Sequence, residues 1–240
     1  MRALQGQVAM VTGGAGGLGT EVCRVLARSG ARVVCADLGD RAKRLAAEFA
    51  REDLRVWPLA VDVSRAESAA AAVELVAREH GRFDILINSA AVDVTVPADE
   101  LALEDWSRII DTNLNAPYWL SRAVFPLMKR QRRGQIVNVA STASKRAWAN
   151  AAAYHASKWG LVGLSHALHV EGRTHGIKVT ALVSGGMRTP FLLERFPDID
   201  AATLQDPRHV ADTIHFVLTR PPETVIPEIM VIPMTETSWP

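Results

Sequence analysis

The 240-residue sequence predicts one doubly wound α/β domain, a seven-stranded parallel sheet flanked by helices. Short β-branched runs alternate with longer helical patterns along the whole chain. A glycine-rich loop separates the first strand pattern from the first helix pattern. Hydrophobic content of 48% and charged content of 22% suit a chain that buries a core.

Strand patterns occupy residues 8–11, 32–36, 56–61, 85–87, 136–139, 179–183 and 225–231. Helical patterns lie between them at 18–29, 41–50, 66–80, 104–130, 152–172 and 207–218. The chain therefore reads as a single Rossmann-type domain over residues 1–240. Ligands of such sheets bind beyond the carboxyl ends of the strands, where the strand order reverses. The loops after each strand are the places to look for chemistry.

Composition narrows the classes of function. With 27 Lys+Arg against 26 Asp+Glu, the net charge of +1 gives no electrostatic basis for binding nucleic acid or acidic membranes. No apolar run reaches the ~18 residues of a membrane span, and Met1–Gly6 lacks the apolar stretch of a signal peptide. Cys23 and Cys35, both in apolar surroundings, read as reduced core thiols of a cytoplasmic protein, neither a disulfide nor a metal site. His166 and His169 share a helix face at i, i+3, but no third ligand stands at a useful spacing, so no metal is expected.

The first loop runs Thr12-Gly13-Gly14-Ala15-Gly16-Gly17-Leu18-Gly19 between strand and helix. Backbone N–H groups at a helix N-terminus bind phosphate, and glycines let it approach. Gly13, Gly17, Leu18 and Gly19 are therefore candidate contacts for a dinucleotide. Asp37, followed by Leu38, ends the second strand about twenty residues on, the fingerprint spacing. A carboxylate there accepts hydrogen bonds from ribose hydroxyls and repels a 2′-phosphate. NAD is the expected cofactor, although Arg41, Lys43 and Arg44 lie close by.

Tyr154 and Lys158 stand four residues apart at the start of a helix, on one face. A phenol has a pKa of ~10, and lowering it three units takes ~4 kcal/mol of positive-charge stabilisation. Lys158 and an oxidised nicotinamide are two such charges. A phenolate so stabilised takes the proton from an alcohol as hydride leaves the carbon. Ser141 ends the fifth strand pattern, where its hydroxyl can donate to a carbonyl oxygen. Asn113 lies mid-helix, a place where amides are usually solvated or packed.

With these residues in order, the chain resembles the short-chain dehydrogenase/reductase family along nearly its whole length. The resemblance rests on the Thr12–Gly19 loop, Asp62-Val63, Asn88-Ser89-Ala90-Ala91, the set Asn113, Ser141, Tyr154 and Lys158, and the late loop Ser184–Pro190. It implies that Tyr154 is the acid/base, that Ser141 orients substrate, and that Lys158 holds the nicotinamide ribose. It implies a proton-relay water at Asn113, adenine contacts at Asp62 and Val63, and carboxamide contacts at Gly185 and Thr189. Asn88 and Ala90 join the cofactor-binding set. A homotetramer or homodimer is implied, packed through the helices that hold Asn113 and Tyr154.

Three positions depart from the family pattern. Ala91 replaces a glycine, Ser184 replaces a proline, and the paired glycines after the last strand are absent. Ala91 is expected to disfavour positive φ, and Ser184 to loosen its loop. The tail through Trp239 is expected to dock on a neighbouring subunit.

Substrate contacts are expected from residues 92–97, 142–151 and a lid at 190–206. Trp148 reads equally as pocket wall or core, and Lys145, Arg146 and Arg188 as surface charge or contacts to an anion. His155 reads as a packing residue. The expected activity is NAD-dependent hydride transfer between nicotinamide and a secondary alcohol or ketone. An NADP-dependent carbonyl reductase and a non-catalytic dinucleotide sensor are the alternatives.

Overall fold

A computed structural model describes residues 3–237 of the chain. Trp239, and with it the docking expected of the tail, lies outside the described residues. Seven strands form one sheet: β1 (Val8–Thr12), β2 (Arg32–Asp37), β3 (Val56–Ala60), β4 (Ile85–Asn88), β5 (Gly134–Ser141), β6 (Ile177–Ser184) and β7 (Glu228–Val231). Their order is β3-β2-β1-β4-β5-β6-β7, and every pairing is parallel. The order reverses between β1 and β4, so the loops after those two strands open a crevice.

The helices are α1 (Gly17–Arg28), α2 (Arg41–Ala50), α3 (Ala66–His80), α4 (Leu103–Ile110), α5 (Ala116–Gln131), α6 (Ala152–Gly172), α7 (Pro190–Leu193) and α8 (Pro207–Leu218). A central parallel strand is buried on both faces, so β1 is apolar throughout and alternates only in which layer it meets. Its Ala9 and Val11 join a core built with Val22 and Leu26 of α1, Phe49 of α2 and Ile214 of α8. Its Val8 and Met10 face the opposite layer, with Val73 of α3 and Leu120 and Val124 of α5.

Three elements differ from the sequence expectation. The helical run expected over 104–130 is interrupted by a π-helical turn, Asp111–Asn115, where the Ala116 N–H donates to the Asp111 carbonyl five residues back. The last strand begins at Glu228, not 225, because Pro227 has no N–H for the ladder. Its carbonyl still accepts from Ala181 N–H at 2.9 Å. The lid contains a short helix, α7, which four residues of pattern do not signal. Its base is pinned by Arg188 N–H to Gln205 carbonyl (2.9 Å) and Gln205 N–H to Gly186 carbonyl (3.1 Å).

Candidate active site

The crevice at the carboxyl edge of the sheet is a cleft of about 1220 Å³. Its first wall is the loop from β1 to α1. Gly13 adopts φ +62°, and a Cβ there would come within 2.8 Å of Ala90 Cα. A Cβ on Gly19 would meet the Gly13 carbonyl at 2.0 Å. The loop is therefore folded too tightly for side chains. α1 opens without a side-chain cap, so the N–H groups of Gly17, Leu18 and Gly19 have no intrahelical acceptor. That cradle, its glycines and its free donors fit the pyrophosphate of a dinucleotide.

Asp37 lines the end of the cleft beside β2. Its Oδ2 accepts from Ala15 N–H at 2.9 Å and its Oδ1 from Leu38 N–H at 2.8 Å, with the Arg41 guanidinium at 3.8 Å. Each oxygen keeps a lone pair for a ribose hydroxyl. Leu38, Asp62 and Val63 line the same end. Ala90 lines the middle of the cleft. Thr12 fixes that segment, its Oγ1 accepting from Ser89 N–H (3.1 Å) and Ala90 N–H (3.3 Å).

Asn88 and Asn113 stand behind the cleft wall. Asn88 Nδ2 donates to Asn138 Oδ1 at 2.7 Å, and Asn138 Nδ2 to Ser165 Oγ at 2.9 Å, a buried polar chain across β4, β5 and α6. Asn113 Oδ1 accepts from Val92 N–H at 2.8 Å. Its Nδ2 donates to Val92 carbonyl at 2.8 Å and to Ser157 Oγ at 3.2 Å. Its side chain is thus a clamp between the loop after β4 and α6. Its mid-helix position alone left this buried amide looking like an ordinary helical residue; only the family resemblance placed it in the site.

At the other end, Ser141 from β5 meets Tyr154 and Lys158 from α6. The Ser141 hydroxyl hydrogen-bonds the phenol and acts to lower its pKa. Lys158 Nζ donates to Val139 carbonyl at 2.8 Å and lies 5.5 Å from the Tyr154 ring centre. Burial dominates both ionisations. It pushes the phenol up to about 12 and the ammonium down to about 8. Among the protein's own groups, burial outweighs the lowering contributions of Ser141 and Arg195 at the phenol.

Gly185 and Thr189 line the far wall, where the loop after β6 passes. The Gly186 N–H donates to Glu236 Oε2 at 3.1 Å, so the segment after β7 braces this loop. That brace replaces the rigidity expected to be lost with proline at Ser184, whose Oγ donates to Gly185 carbonyl at 3.0 Å. Ala91 has no positive φ, so the strain expected there is absent.

Other sequence candidates resolve as follows. Trp148 lines the cleft and packs edge-on against His155 at 4.4 Å between ring centres. His155 bridges Ala143 carbonyl (2.8 Å) and Trp148 N–H (3.1 Å) and so shapes the loop after β5. Lys145 pairs with Glu228, and Arg188 with Asp206, both outside the cleft. His166 pairs with Glu228 at 3.1 Å, and the described residues contain no cluster of three metal-ligating side chains. No helix among them is long and apolar enough to cross a membrane.

Two cleft residues were missed individually. Asp93 follows β4 and Arg195 follows α7; their charges pair across the cleft at 3.4 Å. The signal available was the charged pair Glu194-Arg195 inside the otherwise apolar stretch 191–196.

A glycine cradle at a strand-order reversal, joined to a serine–tyrosine–lysine cluster, defines an oxidoreductase that binds NAD(P). A model of the short chain dehydrogenase family matches residues 7–200. D-threitol dehydrogenase of Mycolicibacterium smegmatis is 40% identical over 180 residues, 75% of this chain and 69% of the relative. 2-Dehydro-3-deoxy-L-rhamnonate dehydrogenase (NAD(+)) of a Sphingomonas species is 39% identical over 188 residues, 78% and 74%. A metagenomic short-chain oxidoreductase solved in complex with NADP superposes with a TM-score of 0.85 at 34% identity, covering 97% of this chain and 99% of that one. The chain belongs to the short-chain dehydrogenase/reductase family.

Proposed function

We propose that the protein is an NAD-dependent oxidoreductase that interconverts a small secondary alcohol and the matching ketone, with Tyr154 as acid/base. The observation that carries this reading is the meeting of Ser141, Tyr154 and Lys158 in one open cleft whose opposite end presents the Asp37 carboxylate. Ser141 orients the substrate oxygen by donating its hydroxyl proton. Tyr154 exchanges a proton with that oxygen at its phenol Oη. Lys158, on the same helix face as Tyr154, is held by the Val139 carbonyl of β5 and binds the nicotinamide ribose. The oxidised nicotinamide, when bound, accepts hydride and supplies positive charge beside the phenol.

Asp37 supports NAD over NADP, because a 2′-phosphate would meet a buried carboxylate. One relative is named for NAD(+), whereas the superposed structure holds NADP. Exposed Leu103, Trp106, Tyr118 and Trp159 on α4, α5 and α6 support assembly as a homodimer or homotetramer. The buried free thiols Cys23 and Cys35 suit a reducing cytoplasm.

Tyr154→Phe removes the transferable proton with little change in volume. We expect kcat to fall by roughly three orders of magnitude or more, consistent with loss of general acid–base catalysis and alignment, while NADH binding, read by fluorescence, stays within about threefold. Turnover within tenfold of the parent would refute the mechanism.

A further inference from the structure

The ionic pair at the substrate end has no role in the hydride chemistry above. Asp93 sits in the loop after β4 and is almost fully buried, and Arg195 is mostly buried. Arg195 NH1 faces Asp93 Oδ2 at 3.4 Å, and its NH2 donates to the Asp93 carbonyl at 3.2 Å. Asp93 Oδ1 accepts from Val94 N–H at 2.8 Å. The guanidinium carbon sits over Phe191, 4.4 Å from the ring centre, and Phe191 lies 6.2 Å from the Tyr154 ring. One aromatic ring therefore separates the cation from the phenol, and all four residues line one cleft.

A pair of this kind adds little stability, since apolar residues of equal volume do as well or better. What it does supply is a cation fixed in place. The guanidinium donates one hydrogen bond to Asp93, alongside their ion pair, and keeps further N–H groups for a ligand. Asp93 and Phe191 hold it in place, so less rotamer entropy remains to be lost on binding. The remaining walls near Tyr154 are largely apolar: Val92, Trp148, Leu192, Phe196 and Ile199. The lining also carries Lys158, held by the Val139 carbonyl, and Arg108, with Glu194 beside Arg195; of the cations it is the Arg195 guanidinium, next to Phe191, whose planar forked donors match a carboxylate.

We propose that Arg195 binds the carboxylate of a small hydroxy acid whose carbinol reaches Tyr154, and that Asp93 is the positioning residue for Arg195. This deepens the secondary-alcohol reading and rests on it for turnover. The substrate class is then a short-chain hydroxy acid and its oxo acid, not a neutral alcohol.

The test compares aldonates with alditols of equal chain length. Wild type should oxidise an aldonate with kcat/KM at least tenfold above its alditol. Arg195→Met should collapse that ratio to near one, mainly by raising KM for the acid, and Arg195→Lys should restore part of it. Asp93→Asn should raise the aldonate KM more than it lowers kcat, which a merely structural loss would not do. Calorimetry of aldonate binding to the enzyme–NADH complex separates the two readings. Arg195-dependent binding without turnover upholds the carboxylate site and refutes the hydride-transfer reading. Turnover of neutral alcohols with aldonates neither bound nor preferred refutes the carboxylate site and leaves the oxidoreductase reading intact. Equal loss of acid and alditol activity in Arg195→Met likewise overturns the proposal.

Discussion

Lys158→Met is expected to make the protein more stable near neutral pH and to make it a poor enzyme. Burial depresses the Lys158 pKa from 10.5 to about 8. At about 1.4 kcal/mol per pH unit, keeping the ammonium in the folded protein at pH 7 costs roughly 3 kcal/mol. Methionine fills nearly the same volume without charge. It forfeits the hydrogen bond to Val139 carbonyl, a loss of roughly 1–3 kcal/mol. The net expectation is a gain on the order of 1 kcal/mol at pH 7. The sign with pH is distinctive. Between about pH 8 and 10.5 the folded lysine is neutral while the unfolded one is protonated. Unfolding then takes up a proton, and wild-type stability rises with pH. Most of the roughly 3 kcal/mol is recovered by about pH 10, where the variant should become the less stable of the two. Urea unfolding of both proteins at about pH 7 and pH 10 measures this directly. Parallel stability curves, or a variant clearly weaker at pH 7, would show that the ammonium is not held against its desolvation.

Two further perturbations follow from the same geometry. Gly19→Ala puts a Cβ 2.0 Å from the Gly13 carbonyl; it should lose dinucleotide binding by more than tenfold in a fluorescence titration, or fail to express folded protein. Asp37→Ser removes the carboxylate from the adenosine end while Arg41 stays near it. The kcat/KM ratio of NADP to NAD should rise at least tenfold, and an unchanged ratio would place the discrimination elsewhere.

The sheet was legible because buried parallel strands are nearly continuous β-branched runs, and the glycine loop because phosphate approach demands a spacing that side chains cannot satisfy. Tyr154 and Lys158 were legible because i, i+4 alone puts them on one face. What stayed hidden depends on residues far apart in the chain. Asn113 was named through the resemblance, but its clamp on Val92 and Ser157 was hidden because those partners are 21 and 44 residues away. Asp93 and Arg195 are 102 residues apart, and nothing local marks them as neighbours. The burial of Lys158 stayed hidden for a different reason: spacing reveals nearby charge but not how thoroughly a group is taken out of water.

The π-helical turn before α5 has a consequence for what indels the chain tolerates. A helix that carries one residue beyond its regular count must bulge it outward if everything downstream is to keep its angular place. Deleting a single residue between Asp111 and Asn115 would let the backbone relax into an unbroken α-helix. It would also swing the amide of Asn113 off the loop it grips. Such a shortened chain should fold at least as readily as its parent and yet arrive with the β4 crossover untethered, a lesion of geometry without a missing functional group.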